Sequence, residues 1–305
     1  HRRVHQLIVD LLKLDSKSNF KIARFMRFGG LPIGIFDLIF SNQIRSRLLA
    51  REIECFQPDL IHIMETQHSG YLTDRALDLV SIKPKVALSI WGSDLYWFQR
   101  FQKHRSRISS MLKKVDFMIT ECQRDEAIAK NIGFDGRVIY GVPASGGFNE
   151  QSSSSIAQEL VPSSRKIIAI KGYSGFVGLG PLALKAIGKL SSKLRDYSIV
   201  VYSANWRTFF VAQVLKFRSK LQIEIRIKHS QTPEQMRDLF LRSRVVVGMS
   251  RSDGLPATIK EAAFFGAFPI QTDTSCAGEW FEDGVSILLV PADSSEALEQ
   301  ALDRK

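Results

Sequence analysis

The sequence predicts an α/β protein made of two doubly wound parallel-sheet domains. Three observations predict it. Short, continuous runs rich in Val, Ile and Leu recur along the chain, as strands buried on both faces require. Amphipathic segments at helical spacing separate those runs, which is the order of a parallel sheet with crossover helices. The alternation breaks once, at NEQSSSSIAQELVPSSR (149–165), a Ser-rich and weakly apolar stretch that reads as a linker.

The first domain is expected over 1–150. Its apolar run GGLPIGIFDLIF (29–40) is short and broken by Gly, Pro and Asp, so it cannot span a membrane. A helix is expected over 41–56, strands at LIHIM (60–64), VALSI (86–90) and DFMIT (116–120), and a helix at 73–82. The linker occupies 151–165, and the second domain 166–305. Strands are expected there at KIIAI (166–170), YSIVVYS (197–203), IEIRIK (223–228), RVVVGMS (244–250), AFPIQ (267–271) and SILLV (286–290), with helices at 181–194 and 233–242. Two such halves facing each other place a cleft at the carboxyl ends of both sheets, where open α/β sheets take ligands. The chain starts at His1 without Met and stops at Lys305 inside a helical pattern, so it reads as a fragment at both ends.

Composition narrows the function. Of the residues 45% are apolar and 24% charged, the profile of a globular protein. The net charge of +11 is diffuse: residues 1–150 carry 22 basic and 16 acidic side chains, and residues 151–305 carry 20 and 15. No nucleic-acid motif accompanies it, so nucleic acid is not an expected partner. A phosphate-bearing substrate or an anionic membrane surface fits better. The densest basic run, RFQKHRSRISSMLKK (100–114), reads as a solvated helix face, with peripheral membrane contact as the alternative. Cys55, Cys122 and Cys276 show no CxxC or zinc-ligand spacing, and the histidines do not cluster with them, so no metal site is expected.

The strongest chemical signal is SRSDGLPATIKEA (250–262). A strand runs into RSDG, Pro256 stands where a helix begins, and Gly266 ends that helix. Ser252, Gly254 and Leu255 then lie where unpaired amides and the helix dipole attract anions. Glu261 sits a turn and a half into the helix, leaning back toward its start. A carboxylate beside a phosphate pocket suits a neutral diol such as a ribose. Asp253 could hold hydroxyls of a second sugar. On spacing alone a second reading stands: Ser252 and Asp253 cap the helix, and Glu261 is solvated. Upstream, the strand followed by KGYSG (171–175) is a loose phosphate-loop signal, with Lys171 and Gly172 in it.

The segment SRSDGLPATIKEAAFFGAFPIQTDTSCAGEWFEDGVSILLVP (250–291) resembles the nucleotide-binding segment of family 4 glycosyltransferases, retaining enzymes of the group 1, GT-B type with two Rossmann-like domains. Their E-x7-E pattern stands here as Asp253 and Glu261. Gly266, Pro269, Glu279, Trp280, Asp283 and Gly284 also fit. The resemblance implies ribose binding by Glu261, sugar contact by Asp253 and diphosphate contact by Lys171. The family's loop arginine is not found. Leu179 stands where it is expected, and Arg251 and Arg207 are the residues that would replace it. KHSQTPEQM (228–236) resembles the base-contacting turn, which implicates Ser230, while Thr232 before Pro233 and Glu234 is equally a helix cap.

In the first half, Glu65, Gln67 and His68 follow one strand, and Gly92, Ser93 and Asp94 follow the next. Both groups fall on the expected cleft side. SIWGSDLYWF (89–98) resembles the family's H/W-G-S-D element, with Trp91 at its first position. Glu65, His68, Gly92 and Asp94 are therefore the acceptor-side candidates, with helix capping as the alternative for Asp94. Trp91, Tyr96, Trp97 and Phe98 could stack on a sugar or simply fill the core. His62, inside an apolar strand, reads as a satisfied core histidine. The family's first strand is not recognisable ahead of these segments.

The resemblance implies transfer of a sugar from a nucleotide-sugar donor to a glycan, lipid-linked or small-molecule acceptor hydroxyl, with retention and without metal or further cofactor. It implies a cytoplasmic protein, peripheral to a membrane, acting on cell-envelope glycan. Two alternatives stand beside it: a non-catalytic homologue that binds a nucleotide-sugar or a partner, and a basic nucleic-acid or membrane-surface protein.

Overall fold

A computed structural model describes residues 43–143 and 161–304. The chain divides into two units, His1–Gly146 and Gly147–Lys305. The apolar run 29–40 lies outside the described residues, as does most of the expected linker.

In the first unit α1 (Gln43–Phe56) leads to β1 (Leu60–Met64), a π-helical turn (Thr66–Gly70) and α2 (Tyr71–Leu77). After them come β2 (Lys85–Ser89), the four-residue α3 (Ser93–Tyr96), α4 (Gln102–Leu112), β3 (Phe117–Thr120), α5 (Gln123–Asn131) and β4 (Arg137–Tyr140). The strands pair in parallel in the order β1-β2-β3-β4. Strand β4 was not expected from its four residues, RVIY. Its extended state comes from pairing along β3, with Arg137 opposite Phe117 and Tyr140 opposite Thr120. The core packs Ile63, Val86 and Leu88 of the sheet against Ile108, Met111 and Leu112 of α4. Each fully buried side chain of this kind contributes about 1.5–3 kcal/mol. The basic run 100–114 therefore does form a helix with an apolar inner face.

The second unit contains β5 (Ile167–Lys171), α6 (Gly180–Lys189), β6 (Ser198–Ala204), α7 (Trp206–Arg218), β7 (Gln222–Ile227), α8 (Pro233–Arg242), β8 (Ser243–Gly248), α9 (Ala257–Phe264), β9 (Phe268–Thr272), β10 (Leu288–Val290) and α10 (Ser295–Asp303). Its six strands are all parallel, in the order β10-β9-β8-β5-β6-β7. Ile168, Ile170, Ile199, Val201 and Val245 face α6, α7 and α10. Ala169, Val200, Tyr202 and Val246 face α8 and α9, against Leu239, Phe240 and Ala262. The sheet is thus covered on both faces, which explains its continuous apolar strands.

The chain leaves β5 toward β6 on one side and returns through β8 on the other. The helices after β5 and β8 therefore leave for opposite faces of the sheet, and the carboxyl ends of these two strands form the switch point at which doubly wound sheets bind ligands. Arg165, the last residue of the stretch read as linker, is anchored in this unit. It is 4% exposed, and its guanidinium donates to the backbone oxygens of Ser243 at 3.3 Å and Phe265 at 2.9 Å.

Candidate functional site

Strand β5 ends at Lys171, and Gly172 turns the chain. Its N–H donates to Tyr202 O at 2.7 Å. A Cβ there would lie 2.8 Å from Val201 Cγ1 and 2.9 Å from Ala204 Cα, so glycine is required for the loop to lie on β6. The loop then folds onto the segment after β8. Leu179 N–H donates to Met249 O at 3.0 Å, and Arg251 N–H donates to Val177 O at 2.8 Å. These bonds bridge Gly178 and Ser250 in antiparallel fashion. Asn205 caps α7 and fixes the same loop: its Oδ1 accepts from Thr208 N and from Ser174 Oγ, and its amide donates to Ser174 O.

The β8–α9 loop is held equally firmly. Ser250 O accepts from Thr272 Oγ1 at 2.7 Å and Thr274 Oγ1 at 2.5 Å, and Gly254 O accepts from Cys276 N at 3.0 Å. Helix α9 starts one residue later than expected. Pro256 is its N-cap rather than its first residue, and Pro256 O accepts from the amides of Ile259 and Lys260. The amino end of α9 carries the partial positive charge of a helix start into the switch-point crevice.

Lys171, Asp253 and Glu261 come together there. Lys171 Nζ lies 3.9 Å from Asp253 Oδ2. Asp253 Oδ1 accepts from Gly254 N at 3.0 Å. Burial pushes the Glu261 carboxyl above its usual range, opposed by the charges of Lys260 and Lys171. Lys171 Nζ also sits 5.8 Å from the Tyr173 ring centre, and burial together with the Asp253 charge raises the Tyr173 phenol. Behind Glu261, the buried Tyr202 hydroxyl lies beside Thr258 and is held protonated by its burial. The cluster offers one ammonium and a helix amino end for an anion. It also offers two carboxylates as hydrogen-bond acceptors for neutral hydroxyls.

The other second-half candidates lie further out. The Arg251 guanidinium faces Asp293, with Nε 3.4 Å from Oδ1, rather than Lys171. Arg207 lies against Trp206 on the exposed face of α7. Leu179 is 6% exposed, and its side chain packs into the core with Ile170 and Leu184. Ser230 follows β7, two strands away from β5, and its hydroxyl donates to Ile227 O at 2.8 Å. Thr232 is the helix cap expected, and it forms a capping box with Gln235.

In the first unit Glu65, His68, Gly92 and Asp94 gather at the carboxyl ends of β1 and β2. Glu65 has a left-handed backbone (φ 89) and caps the π-helical turn, accepting from the amides of His68 and Ser69. Its other oxygen meets His68 Nδ1 at 3.2 Å. Gly92 also needs a positive φ, 86. Asp94 is buried and ties the two loops together. It accepts from Thr66 Oγ1 at 3.0 Å and Trp91 N at 2.9 Å, and its backbone oxygen accepts from Gln67 at 2.6 Å. Burial, with Asp125 and Glu65 nearby, pushes its carboxyl up to about 7. Asp94 therefore uses its carboxyl to position this corner. The Tyr96 ring is covered by Arg124 at 4.0 Å and Arg100 at 4.5 Å. His62 is the satisfied histidine expected, with Nε2 2.8 Å from Ser89 Oγ.

Tyr173, Tyr202, Asn205 and Thr258 were not anticipated. Asn205 had a readable signal, an amide side chain just ahead of an apolar helical run. The others join the site only because β5, β6 and α9 converge in space.

Two family models match the chain. Residues 181–304 match the model described as "Glycosyl transferases group 1", and residues 9–122 match "Glycosyl transferase 4-like". The chain belongs to the group 1, family 4-like glycosyltransferases. Together the matches span more than two thirds of it, one in each unit. Solved structures agree on the fold. A UDP-forming α,α-trehalose-phosphate synthase from Burkholderia xenovorans, in complex with glucose-6-phosphate, is similar over 87% of this chain and 70% of its own, with a TM-score of 0.69 and 12% identity. Anabaena HepE in complex with UDP-glucose is similar over 85% and 71%, with a TM-score of 0.62 and 13% identity. At such identities the likeness is one of fold, and that fold is GT-B: two α/β units with parallel sheets. No curated protein matches the chain at the level of sequence.

Proposed function

We propose that this glycosyltransferase moves a sugar from a nucleotide-sugar to an acceptor hydroxyl with retention of configuration, without a metal ion. The observation that carries this reading is the joining of Lys171, Asp253 and Glu261 at the β5/β8 switch point, beside the amino end of α9. In this reading Lys171 and the α9 amides hold the diphosphate, Glu261 accepts hydrogen bonds from the ribose diol, and Asp253 holds hydroxyls of the transferred sugar. The bond from the sugar carbon to the diphosphate oxygen breaks, and the acceptor oxygen bonds to that carbon on the same face. The acceptor proton passes to the departing diphosphate oxygen, so no protein base is required. Stabilising that leaving group is the main electrostatic task, worth about 3 kcal/mol per donor. Arg251 adds a cation if it exchanges Asp293 for the diphosphate. Ser230 contacts the base, and Glu65, His68, Gly92 and Asp94 shape the acceptor side.

UDP-sugars are the first donors to test, since HepE is seen with UDP-glucose. The acceptor is a sugar or a lipid-linked glycan of the cell envelope. The reading places the protein in the cytoplasm, beside a membrane. No helix among the described residues is long and apolar enough to cross one. The test is a panel of UDP-, GDP- and ADP-sugars, scored for thermal stabilisation and for release of nucleoside diphosphate. The expected result is stabilisation and release by one donor class. Stabilisation with no release, under any acceptor, would support a non-catalytic binding protein instead.

A further inference from the structure

Helix α7 has two apolar faces, and among the described residues one is packed and the other exposed. Thr208 and Ala212 are fully buried, and the helix packs on α6, β6 and β7. On the far side Trp206 is 70% exposed, Phe210 62%, Val214 51% and Phe217 93%. At about 100° per residue these four share an arc of about 80°, roughly opposite the packed face. Flanking positions carry Arg207 and Arg218 on one side and Lys216 on the other, all exposed. Between Asp196 and Glu224 the chain has no carboxylate at all, while Lys220 adds a further cation.

We propose that this face of α7 is a docking surface for an anionic phospholipid bilayer. An apolar stripe rimmed by Lys and Arg is what lies in the plane of a lipid interface, with rings among the acyl chains and cations at the headgroups. A two-fold contact with a second copy is disfavoured by charge. It would set Arg207, Lys216 and Arg218 against their own copies with no carboxylate on the helix to pair them. Binding then combines an apolar part that resists salt with a coulombic part that salt weakens. The surface is separate from the basic helix α4, whose apolar residues Ile108, Met111 and Leu112 point into the core.

The test is sedimentation of the full chain with vesicles of phosphatidylcholine alone, or mixed in equal parts with phosphatidylglycerol. Variants are Trp206→Ser/Phe210→Ser/Phe217→Ser, Lys216→Gln/Arg218→Gln and, as a control on α4, Lys103→Gln/Arg105→Gln. The side chains changed on α7 are exposed, so the variants fold, as circular dichroism verifies. Expected are binding to the mixed vesicles only, loss of about tenfold or more in the aromatic variant, a several-fold loss in the Lys216/Arg218 variant, and no change in the α4 control. The proposal is overturned if mixed vesicles do not bind, or if the aromatic variant binds as well as the parent chain. A concentration-dependent dimer that the aromatic variant abolishes would overturn it too, by assigning the face to a second copy.

Discussion

Glu261 is half-buried and Asp94 buried, and their surroundings suit them to opposite tasks. Glu261 has no ion pair within 4 Å among the described residues and feels Lys171 and Lys260 only at longer range, so its acceptor capacity is available to a ligand. Glu261→Ala removes two acceptors and is expected to weaken nucleotide binding by about 1–3 kcal/mol, roughly fivefold to 150-fold. Calorimetric titration with UDP, GDP and ADP checks this, and unchanged affinity for the preferred nucleotide would remove Glu261 from the site. Asp94, by contrast, spends its acceptors on Thr66 and Trp91. Its folded pKa of about 7 stands above the reference value of 3.8. The folded chain thus keeps a proton that the unfolded chain releases, so the linked stability is full below about pH 4 and is lost as pH rises through about 7. Urea unfolding of the parent chain should therefore lose stability relative to Asp94→Asn between those limits. Parallel pH profiles for the two would show that Asp94 is ionised when folded. At this scale the sequence singled out candidate carboxylates but not their surroundings. The strand–turn–helix setting singles out Asp253 and Glu261, whereas the burial of Asp94 depends on β1 and β2 lying side by side.

The two loops at the switch point are built as one element. The bridge across Gly178 and Ser250 and the close seat of Gly172 on β6 couple them. Gly172→Ala forces a methyl to within 2.8 Å of Val201 Cγ1, and an overpacked backbone contact of this kind costs about 1–3 kcal/mol. Chemical denaturation reads that loss, and nucleotide affinity should fall with it because Lys171 is displaced. Thr232→Ala, which breaks a helix cap, is expected to cost about 1 kcal/mol in the same denaturation measurement. Most elements were legible because their apolar runs are long: every expected strand is present, within one or two residues at its ends. Strand β4 was missed because four residues carry no period. The glycines at 172 and 178 were readable as a loop but not as contacts, since what they approach belongs to β6 and to Tyr173.

Across the whole molecule, each unit has its own core, and the proposed donor site lies entirely in the second. The chain divides at Gly146/Gly147, and the order of strands sets the place of the proposed donor site. That order was not legible, because parallel neighbours are chosen by packing and not by adjacency in sequence. The net charge of +11 is spread over both halves, so it favours anionic partners in general without pointing to one. Local chemistry carries the specificity instead. The most direct measurement is a crystal structure of the chain soaked with the nucleoside diphosphate that stabilises it most. The diphosphate is expected in the crevice between the β5–α6 and β8–α9 loops, contacted by Lys171 and the first amides of α9, with the ribose diol on Glu261. A nucleotide bound with its ribose away from Glu261, or lodged in the first unit beside Asp94, would contradict it.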